Sequence, residues 1–313
     1  MWAPVRKKDA SRFSGQDLMT YGEISSCEEM DLSSQTFFSP KEILLPVRET
    51  MFKVEGDSLL EEPFGEKPVL AFLRACDIHA VKVMDAHFLS GPAPDMYYQR
   101  RRSNLKIVLI ECPEPFEHCY CLSMGTARPP QDHAAFLRLH RGRQEWVVHD
   151  KSLIPFFPYK VRPVPAFRPV PFNHRKVRVP AEVPGTVFTH DLWKEYSRRC
   201  IACGRCNTSC PTCTCFSIWD VSTEEGQARQ RIWSACHVKK FALLAGNHDF
   251  RTQNGERMRY KVLHKIQDFR KRTGLQMCIG CGRCDLVCPE YISMFRSLDK
   301  INAALKENPP HGA

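Results

Sequence analysis

The sequence predicts an α+β protein: a mixed α/β N-terminal domain over residues 1–150, a proline-rich basic linker over 151–186, and a mainly helical C-terminal domain over 187–313. Three observations predict it. Apolar runs of strand length flank a helical pattern in the first half, prolines crowd the middle, and apolar residues recur at helical spacing in the last third.

Residues 68–80 read PVLAFLRACDIHA, an apolar run leading into Asp77. Asp77 can cap a helix whose apolar positions Ile78, Val81, Met84 and Phe88 recur at helical spacing until Gly91 and Pro92 stop it. Residues 105–112 have the isoleucine and valine content of a buried strand, and QEWVVHD over 144–150 reads as a third strand. Eight prolines between Pro155 and Pro184 exclude a helix or a central strand. The near-repeat Arg162-Pro163-Val164-Pro165 and Arg168-Pro169-Val170-Pro171 favours an extended arm, either a stiff surface spacer or a docking segment. Beyond it, residues 257–273 place Met258, Val262, Ile266 and Phe269 on one face and end in Lys271, Arg272 and Gly274. After Pro289, the positions Tyr291, Met294, Leu298, Ile301 and Leu305 step by three and four, an amphipathic helix with a core-facing stripe.

Composition narrows the function classes. With 43% apolar and 26% charged residues, the 313-residue chain is too polar for a membrane protein and too apolar for a disordered one. No apolar run approaches the roughly 20 residues of a spanning helix, and the start MWAPVRKKDASRF lacks a signal-peptide core, so a cytoplasmic location away from membranes is expected. Sixteen cysteines in such a compartment read as metal ligands. The formal charge of +10 counts every thiol as neutral. A four-iron cube with its thiolates carries about −2, so two cubes lower the total to roughly +6 and three to roughly +4. The basic balance is then a weak argument for nucleic acid, and an iron-sulfur or zinc regulator binding nucleic acid is only a remote alternative.

The chemistry lies in a repeated motif. Cys200-Ile-Ala-Cys203-Gly-Arg-Cys206-Asn-Thr-Ser-Cys210-Pro211 is followed by Cys278-Ile-Gly-Cys281-Gly-Arg-Cys284-Asp-Leu-Val-Cys288-Pro289. Each is the bacterial ferredoxin run for a four-iron cluster, which predicts a ferredoxin-like core with two [4Fe-4S] clusters. Three cysteines at steps of three wrap one cube while the fourth reaches the other. Cys200, Cys203, Cys206 and Cys288 are therefore assigned to cluster 1, and Cys278, Cys281, Cys284 and Cys210 to cluster 2. Gly204 and Gly282 let the backbone approach the inorganic sulfides. Structural zinc is the competing reading, but its ligands usually come as separated pairs.

Cys76, Cys112, Cys119 and Cys121 lie at or just after apolar runs. Strand ends of an α/β sheet share one edge, so these four could meet as a third four-iron site; isolated buried thiols are the alternative. Cys213, Cys215 and Cys236 make three ligands with no evident fourth, and Cys27 stands alone. His79, His118 and His237 sit near cysteines and either tune a cluster or make ordinary hydrogen bonds. Arg74, Arg205 and Arg283 either offset cluster charge or are solvated. No G-x-G-x-x-G, P-loop or His-Glu-x-x-His occurs, so no nucleotide or catalytic zinc site is expected.

Arg74-Ala-Cys76-Asp77-Ile78, Ile110-Glu111-Cys112 through Cys119-Tyr-Cys121-Leu-Ser-Met124-Gly125-Thr126, Cys210-Pro-Thr-Cys213-Thr-Cys215 and the second ferredoxin run closely resemble the iron-sulfur electron-transfer subunits of anaerobic sulfite reductases. Ser39-Pro40-Lys41, Arg48-Glu49-Thr50-Met51-Phe52 and His248-Asp249-Phe250-Arg251 fit the same pattern. The resemblance implies one member of an NADH-dependent, three-part enzyme, relaying electrons from a flavin subunit that carries FAD to a sirohaem subunit that reduces sulfite to sulfide. No sulfite-reducing site is expected on this chain. The N-terminal signatures also resemble the iron-sulfur beta subunits of soluble nickel-iron hydrogenases and sulfhydrogenases, which gives the alternative assembly.

Overall fold

The computed structural model describes residues 1–10, 15–61, 63–65, 67–130, 133–140, 143–156, 167–223 and 226–307. In the N-terminal region, β1 (Trp2–Lys7), β2 (Leu18–Glu23), β5 (Val69–Arg74), β6 (Leu105–Ile110), β7 (Ala135–His140) and β8 (Arg143–Val148) form one sheet in the order β2-β1-β5-β6-β7-β8. The pairs β1–β5, β5–β6 and β6–β7 are parallel, and the two outer pairs are antiparallel. Helix α1 (Ala75–Phe88) packs on one face, and all four stripe residues, Ile78, Val81, Met84 and Phe88, enter a core with Leu73, Ile107, Leu109 and Phe136. The opposite face buries Ala3, Phe72, Val108, Ile110 and Leu137. A central parallel strand is covered on both sides, which explains the unbroken apolar runs in β5 and β6.

A second sheet, β4 (Ser58–Leu60), β3 (Arg48–Glu55), β10 (Gly226–Trp233) and β9 (Phe216–Thr223), draws its strands from both halves of the sequence. The β9–β10 hairpin is a strand pair inside the region expected to be mainly helical. Buried Arg231 fastens this sheet to Glu49 at 2.5 Å and to Asp95, which caps α2 (Met96–Ser103), at 2.5 Å.

The C-terminal region is otherwise more helical. It contains α3 (Lys194–Arg199), the single-turn α4 (Arg205–Thr208), α5 (Asn254–Leu263), α6 (Phe269–Thr273), the single-turn α7 (Arg283–Leu286) and α8 (Met294–Glu307). Met258, Val262, Ile266, Leu298 and Ile301 form its core with Trp193 and Tyr196, joined by Tyr120 and Met124 from the N-terminal region. No helix among the described residues is long and apolar enough to cross a membrane.

Three local expectations need correction. Strand β5 runs straight into α1, so Arg74 takes the cap position and Asp77 lies fully buried in the first turn, its carboxylate engaged by Arg283. The helix expected over 257–273 starts at Asn254 and is interrupted by a π-helical turn over His264–Asp268, before Gly274 closes it at φ 74°. Tyr291 is 85% exposed at φ 52° and precedes α8 instead of joining its stripe. The first half of the proline repeat, Arg162 to Pro165, lies outside the described residues. Residues 167–184 contain no regular element and are fastened along their length. Val170 packs with Cys121 and Ala127, Arg175 bonds Asp285 at 2.8 Å and His118 at 2.7 Å, and the Val183 N–H donates to Gln267 Oε1 at 2.7 Å.

Candidate iron-sulfur centres

The two cysteine runs fold as a structural repeat. Ala202 and Gly280 both take left-handed backbone, at φ 55° and 66°, as do Gly204 and Gly282, at 75° and 74°; each loop then enters a one-turn helix, α4 or α7. This path curls the first three cysteines of each run round a common centre. A Cβ on Gly282 would stand 2.2 Å from the His118 carbonyl oxygen, and one on Gly204 would stand 3.0 Å from Val238 Cγ2. Both positions therefore need glycine for conformation and, at Gly282, for backbone-to-backbone contact.

The structure brings Cys200, Cys203, Cys206 and Cys288 to the wall of one cavity. A second cavity is walled by Cys278, Cys281, Cys284 and Cys210. The fourth cysteine of each run thus lies with the first three of the other. Cys76, Cys112, Cys119 and Cys121 line a third cavity. That cavity sits where the parallel strands β5 and β6 end side by side, with Arg74 opposite Ile110, the usual place for a ligand site in a sheet of this kind. Cys284, Lys261 and Met294 wall both the first and the second cavity, and Cys281 walls both the second and the third. The second cavity is therefore the middle one.

The second ferredoxin run docks on the third site directly. The Tyr120 N–H donates to Gly280 O at 2.8 Å and Thr126 Oγ1 donates to Ile279 O at 2.6 Å. Arg283 forms a buried bidentate pair with Asp77, at 2.5 and 2.9 Å, and Tyr21 OH donates to the same carboxylate at 3.1 Å. Arg74 reaches Cys112 Sγ at 3.2 Å, and the Asn173 amide lies 3.7 Å from Cys121 Sγ. Among the described residues, no three Cys, His, Asp or Glu side chains converge closely enough to grip one metal ion.

Charge is distributed unusually around the cavities. Lys41, Lys261 and Lys265 are buried, at 3–4% exposure, and among the described residues none reaches a carboxylate. Lys41 Nζ donates to the carbonyls of Asn207 and Cys213, Lys261 Nζ to that of Cys206, and Lys265 Nζ to Thr212 Oγ1 at 2.7 Å. Burial disfavours the charge on all three; at Lys261 and Lys265 the surrounding thiols outweigh it and hold both above the ordinary lysine value, whereas at Lys41 burial prevails and lowers it to about 8. Burial pushes the Cys76, Cys278 and Cys281 thiols up, and Cys119 up to about 12. Buried cations without carboxylates and buried thiols that resist ionisation fit a bound metal-sulfur group that turns the thiols into thiolates and is itself anionic.

Sequence reasoning missed these lysines because Lys261 and Lys265, four apart, read as the polar side of an amphipathic helix. The π turn between α5 and α6, a feature enriched at functional sites, accompanies their burial. Cys215 and Cys236, flanking the β9–β10 hairpin, are in thiol hydrogen-bond contact. That contact holds Cys215 down at about 6 and Cys236 up at about 12. Cys213 pairs in the same way with Cys210. Asn207 Nδ2 donates to Cys236 Sγ at 3.1 Å. Cys27 lines none of the three cavities and packs against the core on one face of the N-terminal sheet.

Comparison with known proteins places iron-sulfur chemistry in the C-terminal region. Residues 199–292 match a 4Fe-4S dicluster domain. The chain is 31% identical over 328 aligned positions to sulfhydrogenase 2 subunit beta of Pyrococcus furiosus, covering 97% of this chain and 93% of that protein. No solved structure matches it. With identity at that level over nearly its whole length, the chain belongs to the sulfhydrogenase beta-subunit family.

Proposed function

We propose that this protein is the electron-transfer subunit of a soluble nickel-iron hydrogenase or sulfhydrogenase-type assembly and holds no substrate site of its own. In this reading Cys200, Cys203, Cys206 and Cys288 hold one [4Fe-4S] cluster, Cys278, Cys281, Cys284 and Cys210 a second, and Cys76, Cys112, Cys119 and Cys121 a third. Each cluster, when bound, accepts and releases one electron at a potential set by its surroundings. The observation that carries the reading is a pair of buried lysines, Lys261 and Lys265, without a carboxylate partner among the described residues, walling the middle of three thiol-lined cavities that share walls. Lys261 and Lys265 stand beside the middle cavity, where their charge favours an anionic occupant. Four thiols per cavity would saturate each cube, leaving no iron open to substrate.

Electrons then enter and leave through partner subunits, with a flavin subunit that oxidises NADH on one side and the nickel-iron subunit on the other. The family relationship supports this assembly over one built on sirohaem. A second reading, the iron-sulfur subunit of an anaerobic sulfite reductase, is favoured by the order and spacing of Arg74-Ala-Cys76 and Glu111-Cys112 through Cys121. Metal and cofactor analysis of the complex purified anaerobically from its native host tests both. Nickel and a flavin co-purifying with this chain are expected; sirohaem in place of nickel would establish the second reading, and a chain that purifies alone with zinc and no acid-labile sulfide would refute both.

A further inference from the structure

Three histidines flank cysteines, and His237 is the one whose ring carries a buried nitrogen without a hydrogen-bond partner among the described residues. His79 Nε2 lies 2.7 Å from the Arg128 carbonyl and His118 Nδ1 lies 2.7 Å from Arg175 Nη2. His237 is 2% exposed, its Nδ1 is 3.7 Å from Cys236 Sγ, and its Nε2 is buried with no hydrogen-bond partner among the described residues. The ring lines the cavity of Cys200, Cys203, Cys206 and Cys288. A buried polar nitrogen without a partner is costly and calls for an explanation. With Nδ1 turned to Cys236, Nε2 is the polar atom the ring has left for the cavity.

We propose that His237 is a positioning residue for the first cluster: its Nε2–H donates a hydrogen bond to a sulfide or thiolate sulfur held in that cavity and raises the cluster's reduction potential. The inference rests on the reading of that cavity as a [4Fe-4S] site. Sulfur atoms of an anionic cluster are acceptors only, so their field selects the neutral tautomer that carries its proton on Nε2. Reduction adds negative charge to the sulfurs and strengthens the bond, which is why such a donor favours the reduced form. The placement is enforced by packing. Ala235 and Val238, on either side of His237, lie against Gly204 at the centre of the first cysteine loop, so the ring is held to the loop that would wrap the cube. The repeat is asymmetric at this point. The second run has no histidine in its cavity and meets Tyr120 instead, whose hydroxyl lies 3.3 Å from Cys278 Sγ. The two ferredoxin-type clusters therefore receive different donors and different potentials from nearly identical loops.

The test uses the full chain, purified anaerobically with its clusters, as wild type, His237→Phe and His237→Gln. Redox titration is followed by electron paramagnetic resonance, and exchangeable protons near the cluster are read by electron-nuclear double resonance before and after transfer to heavy water. In H237F the iron content is expected to stay at the wild-type value. The first cluster's oxidised-to-reduced ratio at fixed potential should rise about tenfold, a fall of about 59 mV for one electron, with loss of one exchangeable proton coupling. H237Q, which keeps an N–H donor, should recover most of that shift. An unmoved potential with the coupling retained in H237F overturns the hydrogen bond. Loss of iron from the first cluster in both variants also overturns it, by making His237 a ligand or a structural support. If H237F fails to fold, histidine-selective nitrogen-15 labelling of the wild type decides, since absence of an imidazole coupling refutes the proposal. Wild-type protein with no cluster in the first cavity would instead refute the reading of the cavity.

Discussion

Removing the carboxylate of Asp77 should unfasten the second cysteine run from the N-terminal sheet. Asp77 is fully buried in the first turn of α1, and Arg283, 2% exposed, begins α7 inside the run Cys278 to Cys288. The pair is bidentate, at 2.5 and 2.9 Å, and Tyr21 OH and Thr36 Oγ1 complete its hydrogen bonding. Asp77→Asn keeps the volume but takes from the buried Arg283 guanidinium the carboxylate it is paired with. Breaking a buried pair from one side costs about 3–5 kcal/mol, against the roughly 5–15 kcal/mol that separates a folded domain from its unfolded chain. At 1.4 kcal/mol per decade, that is a loss of roughly two to three and a half powers of ten in the folding equilibrium. Urea unfolding under anaerobic conditions, read by tryptophan fluorescence and by visible iron-sulfur absorbance, measures it. Asp77→Leu combined with Arg283→Met should recover much of the loss, because an apolar pair of similar volume carries no desolvation penalty. An Asp77→Asn loss under about 1 kcal/mol, or a double variant no better than the single, would refute this account of how the two halves are joined.

Other consequences follow from the cavities. Cys210→Ala should damage the cluster of the second run although Cys210 sits in the first; Mössbauer spectra showing loss of the first-run cluster alone would contradict the crossed arrangement. Lys265→Met removes a buried charge beside the second cavity and should lower that cluster's midpoint by at least a tenfold change in its redox equilibrium, about 1.4 kcal/mol; a raised midpoint would contradict the electrostatic argument. Cys215, partly exposed and held at about 6 by the Cys236 thiol, should react with iodoacetamide at a rate that is half-maximal near pH 6. Its thiolate is present above that value and lost as pH falls through it. Cys236→Ala removes the donor and should move the midpoint up toward the ordinary thiol range, and an unchanged profile would refute the pairing.

Local pattern made much of the architecture readable. The stripe of α1, the strands β5, β6 and β8, and the α8 residues Met294, Leu298 and Ile301 are where periodicity placed them, because each buries one face or lies wholly inside. The candidate site stood out for a different reason: steps of three between cysteines leave little freedom in how a loop can close, and the repeat doubles the signal. What the sequence hid depends on distant partners. Asp77 looked like a cap because Ser, Thr, Asp and Asn usually are; its true partner, Arg283, lies 206 positions away. The β9–β10 hairpin is completed by β3, and Lys41 meets Asn207 and Cys213 across most of the chain. A left-handed Tyr291 breaks the α8 stripe without any local signal.

The central claim, that the three cavities hold iron-sulfur clusters, is tested most directly by counting iron and acid-labile sulfide per chain in anaerobically purified wild type and Cys112→Ser. The account predicts about twelve of each in the wild type and about eight in the variant, four for each cube. Zinc with no labile sulfide in the wild type would contradict it, and eight irons in both proteins would remove the third site while leaving the ferredoxin pair.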